Sequence, residues 1–114
     1  MMDSCIFCKI IKKEIPATVI YENDKFIAFN DINPIDKIHF LIVPKLHIIN
    51  LITAEVEKID FNIFGEMLKL AAVLAKEQGL EGFRTMINSG KKGGQEVFHI
   101  HFHVYGGGNH LKKI

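Results

Sequence analysis

Residues 99–104 read "HIHFHV": His99, His101 and His103, separated by Ile100 and Phe102 and followed by Val104. On an extended chain successive side chains point to opposite faces. This spacing therefore puts the three imidazoles on one face and Phe98, Ile100, Phe102 and Val104 on the other. A single histidine at a half-buried position is ordinarily satisfied by a backbone group or water. Three aligned rings are another matter, because their joint protonation is opposed by like-charge repulsion and brings no structural return. Clustered titratable groups mark sites, so the histidine face reads as the working face and the apolar face as the packed one.

The flanking sequence supplies the rest of a sheet. "EVFHIHFHVY" (96–105) and "FRTMIN" (83–88) read as strands on either side of the loop "SGKKGGQ" (89–95), whose glycines permit positive φ and close backbone approach. Upstream, "TVIYE" (18–22) and "KFIAFND" (25–31) form a hairpin around the turn signal Asn23-Asp24, and "HFLIVP" (39–44) is a third strand. Between residues 53 and 78 the apolar positions Ile59, Ile63, Met67, Leu70 and Leu74, with Phe64, Leu68, Ala71 and Ala75 beside them, step by threes and fours. That stripe predicts one long core-facing helix, closed by Gly79. Ile6, Phe7, Ile10 and Ile11 predict a short amphipathic helix between a Ser4 cap and Pro16. The sum is an α+β domain with a five-stranded, meander-like antiparallel sheet, one long helix and one short one. Without repeats, low-complexity tracts or a linker, residues 1–114 read as a single domain.

Hydrophobic residues make up 48% and charged residues 24% of the chain, the balance of a folded globular protein. A net charge of +1 and no basic cluster beyond lysine pairs supply no cationic field for nucleic acid, so none is expected as a partner. No stretch approaches the roughly 18 apolar residues of a membrane span, and the first residues lack a secretory pattern, so the expected compartment is the cytoplasm.

Four further blocks accompany the histidines: "NSGKKGGQEVF" (88–98), "CIFCKIIKKEIPA" (5–17), "FNDINP" (29–34) and "IVPKLH" (42–47). Together and in this order they resemble the histidine triad (HIT) family. Gly106 and Gly107 after the triad are more similar to its nucleoside phosphoramidate hydrolase branch than to its dinucleoside polyphosphate hydrolase branch. The resemblance implies hydrolysis of purine nucleoside 5′-phosphoramidates through a nucleotidyl-histidine. His101 would be the nucleophile, and His103 would hold phosphate oxygens and assist protonation of the departing amine. A neutral imidazole suits the attack at cellular pH. Backbone N–H groups of the 93–97 loop, Gln95 included, and the Asn88 amide would stabilise phosphoryl charge without a catalytic metal. The same correspondence implies that Ile6, Phe7, Ile10, Phe29 and Ile32 flank the base, that Asp31 takes the ribose, and that Glu96 and Val97 border the nucleotide. For Ile6 and Ile10 a plain core role is an equal reading, and Asp31 doubles as a turn residue before Asn33-Pro34. Glu96 stands where some relatives carry a serine hydroxyl; a carboxylate cannot inherit that role and is expected to face the leaving amine, favouring cationic or basic groups. His39 and His110 are read as surface or structural residues.

The Cys-x-x-Cys of Cys5 and Cys8 reads as a metal knuckle or a redox pair, and no βαβ thioredoxin pattern accompanies it. Two thiolates need two more ligands for a closed zinc site; His47 and His99 complete a Cys₂His₂ set, an arrangement similar to that of some family members. The resemblance also implies a homodimer whose two sheets join into one of about ten strands. "FRTMIN" is the strand that pairs across the two-fold axis, and the tail "GNHLKKI" is shorter than the segments that reach the partner's site in relatives. Two other functions stay open: a nucleotide-binding regulatory or scaffold module, and a metal-dependent hydrolase using all three histidines as ligands. The outer rings of an i, i+2, i+4 strand set are roughly 13 Å apart at the backbone, which weakens the latter.

Overall fold

Apolar residues at nearly every position of 26–29 and 40–44 leave no solvent-facing side, so these segments can only be strands covered on both faces. A computed structural model describes residues 4–108 and 111–114; His110 lies outside the described residues. The two segments form β2 (Phe26–Asn30) and β3 (Ile38–Pro44) at the centre of a five-stranded sheet, with β1 (Val19–Glu22) beside β2. On the other side of β3 lie β5 (Phe102–Gly106) and then β4 (Arg84–Met86), giving the antiparallel order β1-β2-β3-β5-β4.

Alternation along the strands sorts the core into two layers. Phe26, Ala28, Phe40, Ile42, Ile100, Phe102 and Val104 pack with the helix α3 (Asn62–Glu77) through Phe64, Met67, Ala71 and Leu74. Ile27, Phe29, Leu41 and Val43 face the opposite way, against Phe7 and Ile10 of the short helix α1 (Ile6–Ile11). The sheet-facing part of the histidine expectation therefore holds, with Ile100, Phe102 and Val104 on the α3 side.

Four local expectations are corrected. The long helix over 53–78 is two helices, α2 (Leu51–Val56) and α3, because the chain turns at Lys58 with φ 57°. There the Lys58 N–H bonds to Glu55 O and the Ile59 N–H to Ala54 O, the pair of bonds that closes a left-handed C-cap. Glycine normally marks that position and lysine does not, while Ile59 still packs on the core and keeps the apolar stripe unbroken. Gly79, with φ 83°, closes α3 by the same pair of bonds, Gly79 N–H to Lys76 O and Leu80 N–H to Ala75 O. The N-cap of α1 is Cys5, whose Sγ accepts from Cys8 N at 3.4 Å, rather than Ser4.

The third correction concerns β5. It starts at Phe102, not at residue 96, and Phe98 is 47% exposed instead of packed. The register that pairs Ile42 with Phe102 would next oppose Pro44 to Ile100. Proline has no N–H for the ladder, so the pairing ends there. The Ile100 N–H turns to Ile48 O at 2.6 Å instead. Similarly, β4 is confined to 84–86 of the expected 83–88. Among the described residues, no helix is long and apolar enough to cross a membrane.

Candidate active site

Because the ladder stops at Pro44, its carbonyl is left to a side chain: His99 Nε2–H donates to Pro44 O at 2.7 Å. That bond assigns the lone pair of the fully buried His99 ring to Nδ1, which faces the sulfurs of Cys5 at 3.4 Å and Cys8 at 3.6 Å. Cys8 Sγ lies 3.3 Å from His47 Nδ1, and the donor atoms of Cys5, Cys8, His47 and His99 all fall within 4.8 Å of one another. Zinc–sulfur and zinc–nitrogen bonds of about 2.3 and 2.0–2.1 Å at tetrahedral angles separate sulfur from nitrogen by about 3.6 Å, so the donor set fits zinc. Burial pulls the His99 pKa down to about 4 and keeps the ring in its ligand form. Burial and the bond with Cys5 push the Cys8 thiol up to about 11, so a bound cation would have to displace its proton. The four expected ligands, drawn from α1, the segment after β3 and the segment before β5, are thus brought together.

The backbone assigns the other rings as well. His101 Nδ1–H donates to His99 O at 2.8 Å, leaving Nε2 as the lone-pair nitrogen. His39 Nδ1 accepts from the Ile35 N–H at 3.1 Å, so its proton is on Nε2, which donates to His103 Nδ1 at 2.9 Å. His103 in turn carries its own proton on Nε2. Asp31 Oδ2 lies 3.4 Å from His39 Nε2 and 3.9 Å from His103 Nδ1, while Oδ1 accepts from Asn33 N at 2.8 Å in the expected turn. Burial, then the neighbouring His101 and His39, lowers His103 to about 4; Asp31 opposes the shift. Burial also lowers His101 and His39, with Asp31 again opposing. The three triad rings therefore do not converge on one ion. Among the described residues the groups close enough to hold one metal ion are Cys5–Cys8–His47–His99 and Asp31–His39–His103, and His101 belongs to neither.

His101 and His103 border a cleft of about 650 Å³ between α1 and the sheet. One cross-strand row, Phe29, Leu41, His103 and Met86, runs along its floor. Phe7 and Ile10 are buried in the wall, Ile6 is half exposed and Ile32 stands at the rim; Asp31, Asn88, Glu96 and Val97 also line it. Gln95 is the exception among the expected residues. It is 3% exposed, and its side chain is spent inside the loop: Oε1 accepts from Asn50 Nδ2 and Gly90 N, and Nε2 donates to Ile49 O and Val97 O. Loop donors are also fewer than expected. The Gly93, Gly94 and Gln95 N–H groups bond to Gly90 and Lys91 carbonyls. Asn88 Nδ2 donates to Gly93 O at 2.7 Å, packed so close to Gly94, φ 91°, that a Cβ there would lie 3.1 Å from it. Among the described residues the Glu96 and Val97 N–H groups have no such backbone acceptor.

Of the two readings left open for His39, surface or structural, the second holds: it is buried against His103, inside the site. Its parity with Leu41 and Val43 in "HFLIVP" carries the signal, but only the register to β5 says which face that parity selects.

The HIT domain family model matches residues 12–110. A 14 kDa zinc-binding protein of Brassica juncea is 50% identical over 105 residues, covering 90% of this chain and 91% of that protein. The adenylylsulfatase HINT1 of Arabidopsis thaliana is 50% identical over 105 residues, covering 90% and 70%. A histidine triad protein from Clostridium difficile superposes with a TM-score of 0.90 at 41% identity, covering 100% of this chain and 98% of that one. A HIT family hydrolase from Legionella pneumophila gives 0.84 at 42%, covering 91% and 93%, and a histidine triad nucleotide-binding protein from Candida albicans 0.78 at 33%, covering 97% and 86%. With the family model over most of its length and its histidines divided between a metal donor set and an open cleft, the chain belongs to the HIT family, among relatives named as hydrolases.

Proposed function

We propose that the chain hydrolyses purine nucleoside 5′-phosphoramidates, releasing the nucleoside monophosphate and an amine by way of a nucleotidyl-histidine on His101. The observation that carries this reading is the pairing of tautomers in one cleft: His101 offers a lone pair on Nε2 and His103 a proton on Nε2. A nucleophile and an acid have opposite protonation needs, and here separate backbone partners meet them in neighbouring rings.

In the first half-reaction His101 Nε2 bonds to phosphorus as the P–N bond breaks and its electron pair leaves with the amine nitrogen. His103, having taken up a second proton from solvent beside the anionic phosphoryl group and Asp31, gives one to that nitrogen. In the second, water attacks phosphorus, the His101–P bond breaks, and the water's proton goes to His103 and back to solvent. The Glu96 and Val97 N–H groups hold phosphoryl oxygens. The base lies between Ile6, Phe7, Ile10, Phe29 and Ile32, with Asp31 toward the ribose. Zinc on Cys5, Cys8, His47 and His99 is structural, tying α1 to the segment before β5. The chain works as a homodimer joined at β4, an open edge where Phe83 and Met86 are more than a third exposed.

Adenosine 5′-phosphoramidate is the test substrate. Release of AMP, with an acid-labile adenylyl group trapped on His101, is expected; no release from the zinc-loaded protein refutes the reading.

A further inference from the structure

A nucleotide cleft usually carries lysine or arginine for the phosphate. Among the described residues lining this one, none is a lysine or an arginine, and apart from histidine the formal charges are two carboxylates, Asp31 and Glu96. Asp31 lies beside the His39–His103 pair, accepts from the Asn33 N–H, and is assigned above to the ribose. Glu96 is exposed, and no hydrogen bond or ion pair ties its carboxylate to the described residues.

The cleft also has a direction. Its apolar end lies toward α1 and β2, with Phe7, Ile10 and Phe29. The floor then passes His103 to Met86 on β4, and the far end is bordered by Met86, Asn88 and Gly94, with Glu96 two residues further along the same loop, before Val97. A substrate with its base in the apolar end and phosphorus at the histidines sends its leaving group to the far end. Among the described residues, the one formal charge that this loop contributes to the lining is the Glu96 carboxylate; Lys91 and Lys92 of the same loop are exposed and do not line the cleft.

We propose that Glu96 is a specificity-determining residue that selects phosphoramidates whose leaving amine carries a second, positive charge, such as diamines or basic amino acids, and disfavours anionic leaving groups. The proposal rests on the phosphoramidate reading of the same site and adds charge selection to it. It also sets this chain apart from any activity on adenylyl sulfate, whose leaving group is an anion.

The test uses three adenosine 5′-phosphoramidates of matched length, made with 1,3-diaminopropane, n-butylamine and β-alanine, and the full-length protein. The wild type is expected to prefer the cationic over the anionic leaving group by about tenfold in kcat/KM at low salt, with the neutral one between, as two charges of opposite sign several ångströms from a carboxylate in a wet cleft would give. The ratio should shrink with added salt. Glu96→Gln should bring it to within about twofold, and Glu96→Lys should invert it. Comparable turnover of all three by the wild type, or an unchanged ratio in Glu96→Gln, overturns charge selection while leaving the phosphoramidate reading intact. No turnover of any of them overturns both.

Discussion

Replacing Gln95 with alanine removes four hydrogen bonds in one step. Asn50 Nδ2 and the Gly90 N–H lose their acceptor, and the Ile49 and Val97 carbonyls lose their donor, at a position 3% exposed. A buried polar group left without a partner costs roughly 1–3 kcal/mol. Water entering the vacated space recovers part of that, so a total near 3 kcal/mol is expected for the four groups. With an unfolding entropy of about 0.24 kcal/mol/K for a chain of this length, the melting temperature should fall by about 12 °C. Gln95→Glu provides the sharper comparison. It keeps the acceptor for Asn50 and Gly90 but turns a second oxygen toward Ile49 O and Val97 O, and should be at least as damaging as alanine. Calorimetric melting alongside titration with AMP is the assay. Unchanged melting with lost AMP affinity would mean that Gln95 serves the ligand and not the loop.

His101→Ala should abolish phosphoramidate hydrolysis while AMP still binds, and His103→Ala should slow it less completely, because the loop donors remain; turnover by His101→Ala within a few fold of wild type would remove it from the mechanism. Zinc should be present at one equivalent per chain in protein prepared without added metal, and a chelator should lower the melting temperature; zero zinc with melting unmoved by its addition would sink the site. Light scattering at micromolar concentration should give about twice 13.0 kDa; the monomer mass would mean that the β4 edge is protected otherwise.

Periodicity carried most of the fold because the two signals it reads, alternation and the three-to-four step, are set by neighbours in sequence. It identified β2, β3, α1, α3 and the two faces of the triad strand. It merged α2 with α3 because the break falls at a lysine in left-handed conformation, and Lys13, with φ 65°, ends α1 in the same way. Intrinsic preference points to glycine at such positions, so an exposed lysine there carries no signal. The early end of β5 depends on Pro44, which lies far away in sequence and meets the strand only through register. For the site, the motifs that carry the HIT resemblance supplied the cleft wall and the metal donor set. They failed for Gln95, whose polar side chain reads equally well as a ligand contact or a loop strut until its partners are known.

Four histidines with the same side chain are sorted into two tautomers by the group that holds one nitrogen of each. Pro44 O fixes the proton of His99 on Nε2, His99 O fixes that of His101 on Nδ1, the Ile35 N–H fixes that of His39 on Nε2, and His39 fixes that of His103 on Nε2. Two of these four partners are backbone groups within four residues of the ring, and two are across the sheet. No spacing rule separates them, which is why the alternation of the triad could be read and its division of labour could not. The same chain of bonds joins the two halves of the site. The His99 ring belongs to the donor set with Cys5 and Cys8, and the His99 carbonyl holds the proton of His101. Whatever anchors His99 therefore also orients the neighbouring His101 ring, through one backbone carbonyl and with no ligand shared between them.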